Sequence, residues 1–511
     1  MKQTLKRIFA AVLAAALLFA LGACKQETVK PEPKTLKPKI ETVHLSSITL
    51  PLAHNDGLNP YAAKSTVNQA LMPLLFDGLY RLDETFEPQP LVAEFGTVNG
   101  KTVTVTINEA AQFSDGSAVT ADDVTYSFRR AKSSAYYSAR LSNITSASAS
   151  KGEVTFALSS VDPYVLACLT FPIVKQNTAG KENDLPVGSG RYYPEGKLPN
   201  AVLKANDNSL LDTASITEVH LYEVTETDGM PYGLEIGNYD FWLDDLSGGE
   251  YHRVNSGVSV VDTTNLVYLA FNSEKSILTE ASVRKAISVL LNREELVSAG
   301  FQGHAVPSAL PFPQKWKPME KIESSVSLSG DQAKALDMLK AAGYTKINSY
   351  GYRCSSSKSL SVNLTVCKSN AFKLACAKAI KAQLEKINFH VRIIELGYKD
   401  YENAIKKGNF EMYLGEIKLT ANMNLFPFFN PSGTANAAMQ TESGALCRSE
   451  YSKLRAGELS LIDFCAAFDK KTPFVPLCFR TEAAMFSRSI GGTVTATPSD
   501  GFYSIQTWSK N

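Results

Sequence analysis

The chain has 511 residues, with 52 Lys and Arg against 51 Asp and Glu, a formal charge of +1 and 44% apolar residues. This ordinary globular composition excludes a disordered polymer, a collagen and a coiled-coil rod. A charge near zero also argues against a nucleic-acid partner, because such a binder needs a net positive field to hold phosphates.

Residues 1–23 have the pattern of an export signal. A basic start precedes an uninterrupted apolar run over 8–21, and these 14 residues are fewer than the roughly 20 that a membrane span needs. The run ends in Leu21-Gly22-Ala23-Cys24, which resembles the lipobox of bacterial lipoproteins. By that resemblance Cys24 becomes the acylated, palmitate-bearing N-terminus. The alternative is an ordinary cleavage site that happens to precede a cysteine.

Cleavage before Cys24 removes three basic residues and no acid, and leaves 488 residues with a formal charge of −2. The lipidated Cys and the following segment, 24–40, carry five Lys and three Pro with little apolar content. Such a segment cannot build a core, so we expect a semi-extended tether. Its lysines could lie near anionic lipid headgroups, or the tether could simply be solvated.

The first half of the mature chain shows clear local signals. Apolar spacing predicts a helix over about 64–76. Asn99-Gly100 predicts a hairpin with a type I′ turn. Thr120 and Asp123 form a capping box that starts a helix running through Arg130, which explains the adjacent acids there more simply than a metal site does.

The second half alternates between strand and helix patterns. Residues 267–271 are typical of a buried strand, and a helix follows from Thr279. Strand, helix, strand, helix and strand patterns succeed one another over 360–414. This order predicts βαβ crossover units in a parallel or mixed sheet, and therefore an α/β fold.

Eight cysteines are present, and removal of Cys24 leaves seven. The odd number means that at least one is a free thiol or an intermolecular partner. Cys376 falls on the apolar face of a predicted helix, where a cysteine is a small hydrophobic residue. We expect mostly buried thiols, although an exported chain can also form disulfides.

Six stretches in chain order resemble one protein family. The most specific is the segment 113–128; the others are 74–82, 88–94, 186–192, 267–272 and 283–296. Together they resemble the bacterial extracellular solute-binding proteins of family 5, the peptide- and nickel-binding lipoproteins of ABC importers. The resemblance runs from about residue 50 to about 480.

The resemblance implies a two-lobed, periplasmic-binding-protein-like (type II) α/β fold with mixed sheets and a small domain inserted in the N-terminal lobe. Lobe I would comprise 41–70, 181–265 and 485–511, the inserted domain 71–180, and lobe II 266–484. The protein would be a lipid-anchored monomer on the extracytoplasmic face of the cell membrane. It would capture an oligopeptide or similar small solute between closing lobes and deliver it to an ABC permease with its ATPase.

One group of candidate ligand-binding residues follows from the same resemblance. Peptide-binding relatives carry a Trp and then an acidic residue, which pairs with the peptide's amino group, near positions 415–429. This chain lacks both and has Asn422 and Asn424 there; Glu416 could substitute, and Phe426 belongs to the same candidate set. An amide binds an ammonium group less strongly than a carboxylate does. A solvated loop after a strand is the alternative.

A second candidate group follows Gly237, in a segment that resembles the strand end facing the cleft in the family. Trp242 could stack on a ligand, and Asp244 or Asp245 could bind a cationic group. The alternative is a core Trp beside exposed turn acids. Asn55, in the turn-rich segment before the first helix, is a weaker candidate.

The sequence contains no complete motif for catalysis or metal binding; Ser355-Ser-Ser-Lys358 fits Ser-x-x-Lys only formally, in a Ser-rich turn without a Lys-Thr-Gly partner. None of the six His pairs at metal-ligand spacing, and neither a His-Glu-x-x-His nor a Gly-x-Ser-x-Gly motif occurs. We therefore expect no catalytic residues, no metal site and no cofactor. Two alternative functions stay open: a peptide-sensing or chaperone-like lipoprotein without a transport role, and a secreted hydrolase.

Overall fold

The alternation of apolar residues along the chain builds a mixed α/β protein with three main sheets. The computed structural model describes residues 46–181, 185–213, 215–225, 229–244, 254–430, 433 and 442–510. The signal segment, Cys24 and the tether therefore lie outside the described residues.

The first sheet has four strands, and its two longest strands are parallel neighbours. The other two pairs are antiparallel. In spatial order the strands are Ser47–Ala53, Glu218–Val224, Val202–Ala205 and Tyr192–Glu195.

The second sheet is a four-stranded antiparallel meander. Its strands, in spatial order, are Ala93–Asn99, Thr102–Ile107, Glu153–Leu158 and Ile144–Ser150. The predicted hairpin is present, but the prediction of a type I′ turn is wrong. The two-residue loop is Gly100-Lys101, and only Gly100 has a positive φ, of 57°. A type I′ turn needs positive φ at both central residues.

The third sheet has seven strands and includes the two longest strands of the described chain. Six of its strands lie in the order Phe241–Asp244, Phe474–Phe486, Gly257–Phe271, Met412–Lys418, Ser361–Cys367 and His390–Leu396, and Ala305–Pro307 pairs with Phe474–Phe486. Gly257–Phe271 and Phe474–Phe486 are antiparallel neighbours, and both cross the predicted boundaries between lobe I and lobe II. Those boundaries stay predictions.

The βαβ crossover predicted for the second half is confirmed. Ser361–Cys367 is parallel to both of its neighbours, His390–Leu396 and Met412–Lys418. The connecting helices are Ala371–Glu385 and Tyr398–Lys406. Parallel neighbours require such crossovers because the chain must return to the same end of the sheet.

Six α-helices of the described chain begin at a side chain that accepts a backbone N–H. Thr120 and Asp123 form the predicted capping box, and Ser65 and Asn370 cap two other helices. Such caps satisfy amides that have no partner inside the helix. Besides the two crossover helices, the α-helices of the described chain are Thr66–Leu75, Ala121–Ser133, Met230–Glu235, Ala281–Leu290, Arg293–Phe301, Gln332–Ala341, Phe426–Phe429, Glu442–Ala456 and Leu461–Lys471.

The expectation of buried thiols is confirmed. Six of the seven cysteines in the described part are buried and Cys354 is partly buried, and all seven are free. Burial raises the pKa of the Cys376 thiol to about 12. Such thiols are protonated and unreactive at neutral pH.

Two of the stretches that carry the family resemblance pack directly against each other. The amide of Gly190 donates to the carbonyl of Leu75 at 3.0 Å. A Cβ atom at Gly190 would lie 2.4 Å from the carbonyl carbon of Leu75. Glycine is needed here for close approach of the backbones, and the contact brings Arg191 against the segment around Asp77.

Candidate functional site

The described residues enclose a cavity of about 400 Å³, within the range of roughly 300–1,000 Å³ that is usual for small-molecule sites. Its lining comes from segments distant in sequence. Charged side chains are prominent in it: Asp77, Arg81, Arg140, Asp244, Lys418, Glu482 and Asp500.

One wall of the cavity is the strand Phe241–Asp244, where the sequence placed two candidates. Trp242 and Asp244 both line the cavity. Side chains two apart on a strand point to the same face. Trp242 is partly buried and also packs against a small apolar cluster that contains Met485. Trp242 therefore has both a core contact and a face on the cavity, and its stacking on a ligand stays a prediction.

The neighbouring strands contribute a charged pair that sequence reasoning missed. Lys418 Nζ lies 3.9 Å from Glu482 Oε1. Glu482 is buried, whereas most of the Lys418 side chain is exposed. Both residues line the cavity, and no sequence motif marked either of them.

A buried charge network forms another part of the cavity wall. Asp500 Oδ2 accepts from Arg191 at 2.7 Å and forms an ion pair with Arg81 Nη2 at 2.9 Å. Arg191 also donates to the carbonyl of Phe502 at 2.7 Å. One carboxylate oxygen thus pairs with two guanidinium groups, which offsets part of the cost of burying them.

Asp77 lies beside this network and keeps one oxygen without a partner. The residue is 3% exposed, and its Oδ2 makes no hydrogen bond to the part of the chain that the structure describes. Burial raises the pKa of the Asp77 carboxyl to about 7, and the charge of Arg191 opposes that rise. Asp77 therefore titrates near neutral pH.

The sequence did contain a signal for this network. Asp77 and Arg81 fall in the stretch 74–82, and Arg191 falls in 186–192, two of the stretches that carry the family resemblance. The structure explains these charged residues: Arg81 and Arg191 meet at Asp500 beside Asp77, and Asp77, Arg81 and Asp500 line the cavity.

Arg140 is the third arginine of this region. It follows the helix Ala121–Ser133, lines the cavity and is partly buried. Its Nη1 donates to Thr170 Oγ1 at 2.8 Å, and its guanidinium carbon lies 5.5 Å from the centre of the Tyr137 ring. Sequence reasoning did not select it, because it lies in a polar turn.

The structure places Asn422 away from the cavity, inside a buried polar cluster. Its Nδ2 donates to Asp162 Oδ2 at 2.6 Å, and its Oδ1 accepts from Thr420 at 2.6 Å. Asp162 Oδ1 in turn lies 2.5 Å from Arg455 Nη2. The amide of Asn422 is therefore occupied by protein groups in this structure.

Four other candidates also lie outside the cavity lining. Asn424 accepts from the hydroxyl of Tyr451 and from the amide of Phe426, and Phe426 is 44% exposed. Glu416 forms an ion pair with Lys373 at 2.9 Å. Asn55 is an exposed turn residue with a φ of 58°.

Asp245 and Cys24 lie outside the described residues. The ligand-binding assignments as a whole stay predictions. In the described part of the chain, no group of three or more His, Cys, Asp or Glu could hold a metal ion. No described helix has the length and apolar content to cross a bilayer.

Comparison with known proteins places these features in context. Residues 87–438 match the model of the bacterial extracellular solute-binding proteins, family 5 Middle. The oligopeptide-binding protein AppA of Bacillus subtilis is 25% identical over 345 residues, covering 62% of this chain and 63% of that protein. The glutathione-binding protein GsiB of Salmonella paratyphi A is 24% identical over 312 residues, covering 56% and 59%. The matches thus span about three fifths of these relatives' length.

Solved structures match over a larger share of the chain. The nickel ABC transporter structure from Bacillus halodurans has a TM-score of 0.74 at 18% identity, covering 89% of this chain and 98% of that one. At this identity the likeness shows the fold alone. It confirms the predicted α/β fold of the two-lobed, type II kind.

Proposed function

Because the chain belongs to the bacterial extracellular solute-binding proteins of family 5, we propose that it is the solute-binding component of an ABC importer. It captures an oligopeptide or similar small solute and delivers it to a permease with an ATPase partner. The observation that carries this proposal is the cavity of about 400 Å³ with Trp242, Asp244 and Arg140 in its walls.

The lining of the cavity suits a polar solute of peptide size. An aromatic ring offers a stacking surface, and charged groups of both signs offer charge-assisted hydrogen bonds. Its walls come from the predicted lobe I, the inserted domain and the predicted lobe II. A solute that contacts all three favours the closed form, because only that form makes every contact.

The anchor is a separate part of the proposal. Acyl chains on Cys24 hold the protein on the extracytoplasmic face of the cell membrane, and the Lys/Pro-rich tether lets the binding unit reach the permease. More than one acyl chain is needed for stable anchoring, since each buried methylene contributes about 0.8 kcal/mol.

A thermal-shift screen tests the binding function. The purified protein is mixed with pools of short peptides and of nickel chelates, and bound compounds are recovered and identified by mass spectrometry. A solute at about 100 times its Kd should stabilise the folded protein by about 2.7 kcal/mol and be recovered unchanged. Cleaved peptides would favour the hydrolase instead, and no stabilisation by any pool would reject the proposal.

An uptake assay distinguishes a transport component from a sensor. Cells that lack the protein should lose uptake of the peptide that it binds. Binding without any change in uptake would favour the sensor or chaperone alternative.

A further inference from the structure

The positive charge of the protein is concentrated at one end of the seven-stranded sheet. Residues 346–407, hereafter the basic edge, contain twelve Lys and Arg against four Asp and Glu, a formal charge of +8. The predicted mature chain as a whole carries −2, so the rest of it carries −10. A charge asymmetry of this size is typical of a surface that meets an acidic partner.

The basic edge surrounds the outermost strand of the sheet. His390–Leu396 is the last strand in the sheet order. The helix Ala371–Glu385 packs in one apolar cluster through Cys376, and the helix Tyr398–Lys406 packs against another through Ile405. The two crossovers run in opposite directions along the sheet, which places their helices on opposite faces. Basic side chains of both helices therefore flank the edge strand.

Most basic side chains of this region are not neutralised by the protein. Eight of the twelve are exposed and form no ion pair with an acid of the described residues: Lys346, Lys368, Lys378, Lys386, Arg392, Lys399, Lys406 and Lys407. Lys358, by contrast, pairs with Glu280 at 2.7 Å. A charge on an edge strand prevents pairing with the edge of another sheet, but only Arg392 lies on the strand itself. The other seven charges exceed what this protection requires.

Exposed tyrosines lie at both ends of the edge strand. Tyr350 is 80% exposed and Tyr398 is 61% exposed. The ring of Tyr350 lies 6.2 Å from that of Tyr352, which stacks on His390 with ring centres 4.4 Å apart. Tyr350 is therefore near the first residue of the strand, and Tyr398 follows its last residue closely. A tyrosine has an apolar ring and a polar hydroxyl, and tyrosines are enriched at the level of lipid headgroups.

This combination of basic and aromatic side chains fits an anionic lipid surface. Each Lys or Arg near such a surface strengthens binding about fivefold, and exposed tyrosine rings can enter the headgroup region. The predicted acyl anchor places the protein at a bilayer. Residues 24–45 could span up to about 70 Å when extended, more than the width of roughly 60 Å expected for a compact chain of this length. The basic edge can therefore reach the bilayer.

We propose that the basic edge docks on a bilayer that contains anionic lipids. The docked protein is held in one orientation beside the membrane in which its permease lies. This contact is separate from the proposed binding function, because no residue of the basic edge lines the cavity.

Vesicle binding tests the proposal. The chain is expressed without residues 1–24, so that every described residue is kept and no acyl chain is attached. It is sedimented with vesicles of equal parts phosphatidylglycerol and phosphatidylcholine, and with vesicles of phosphatidylcholine alone. We expect binding to the anionic vesicles to be at least about tenfold tighter at low salt, and to be lost in about 0.5 M salt, since salt screens exposed charges.

Two triple variants with the same change in net charge locate the surface. Lys346→Gln, Lys386→Gln and Arg392→Gln together should weaken binding to the anionic vesicles about 100-fold, at about fivefold per charge. The matched control carries Gln at three exposed lysines of other segments: Lys101, Lys197 and Lys321. It should bind nearly as tightly as the unmodified chain.

A single substitution tests the aromatic contribution. Tyr350→Ala should weaken binding to the anionic vesicles about fivefold, because its ring no longer enters the headgroup region. Tyr232→Ala is the control, since Tyr232 is 65% exposed on a helix outside the basic edge, and it should leave binding unchanged. Equal effects of these two substitutions would overturn the role of Tyr350.

Three results would overturn the proposal as a whole. The first is no binding to the anionic vesicles at low salt, or equal binding to both kinds of vesicle. The second is an equal loss in the two triple variants, because net charge rather than this surface would then be responsible. The third is tighter binding to soluble inorganic polyphosphate than to the anionic vesicles, which would exclude the bilayer as the partner. The melting point shows whether each variant is folded, and the solute screen is unaffected by any of these results.

Discussion

Arg455 and Asp162 form a buried ion pair, with Nη2 of the arginine 2.5 Å from Oδ1 of the aspartate. Asp162 is fully buried, and its other oxygen accepts from Asn422 at 2.6 Å. Asp162 lies in the predicted inserted domain, whereas Arg455 and Asn422 lie in the predicted lobe II. The pair thus ties together segments that are far apart in sequence.

Removal of the Asp162 carboxylate should strongly lower the stability of the folded protein. Asp162→Ala leaves the Arg455 guanidinium buried without its counter-charge, so we expect the free energy of unfolding to fall by about 3–5 kcal/mol. Urea denaturation measures it. The control is Asp337→Ala, which breaks the exposed pair of Asp337 with Lys340 and should cost less than about 1 kcal/mol. Equal effects of the two substitutions would contradict a special role for the buried pair.

Substitution of Trp242 tests whether this part of the cavity wall contributes to peptide binding. Trp242→Ala removes the aromatic surface, and we expect the Kd for a peptide found in the screen to rise at least about tenfold, or about 1.4 kcal/mol. Met485→Ala is the control, because Met485 packs in the same apolar cluster but does not line the cavity. If both variants weaken binding equally, Trp242 acts through packing alone.

The buried carboxyl of Asp77 predicts a pH dependence of stability. Its pKa is raised to about 7 from an ordinary 3.8, chiefly by burial. Between these values the folded protein keeps a proton that the unfolded chain loses. The free energy of unfolding should therefore fall as pH rises from about 4 to 7, by up to about 4 kcal/mol from this group.

Denaturation of Asp77→Asn at several pH values isolates this contribution. An amide does not titrate, so the difference in unfolding free energy between the variant and the unmodified protein should grow across the window and level off above pH 7. A difference that stays constant with pH would show that Asp77 has an ordinary pKa.

The anchor is tested at Cys24. Cys24→Ala removes the only cysteine of the predicted lipobox, and we expect the protein to leave the membrane fraction and to lose incorporation of labelled palmitate. Cys354→Ala is the matched control, since Cys354 is a partly buried free cysteine of the binding unit. Retention of the Cys24 variant in the membrane would refute the lipoprotein assignment.

Local sequence patterns were sufficient to predict much of the secondary structure. The helix capped by Thr120 and Asp123, the buried strand around Leu269 and the crossover units of 360–414 were all predictable. Their signals are side-chain period and capping, which act over a few residues. The turn at Gly100 was mispredicted, because the pairing register of the two strands decides which residues form the loop.

The composition of the site was decided by tertiary structure. Asp77, Arg140 and Glu482 lie on different segments, and nothing in their local sequence shows that they share one cavity. Conversely, Asn422 fits a ligand contact in sequence, but the folded chain gives its amide to Asp162. A polar side chain is available to a solute only where groups from distant segments of the chain do not already bond to it. The sequence alone thus indicated the export signal, the fold class and the family, whereas only the folded structure could show which charged side chains the protein pairs with one another, because those pairs join segments far apart in the chain.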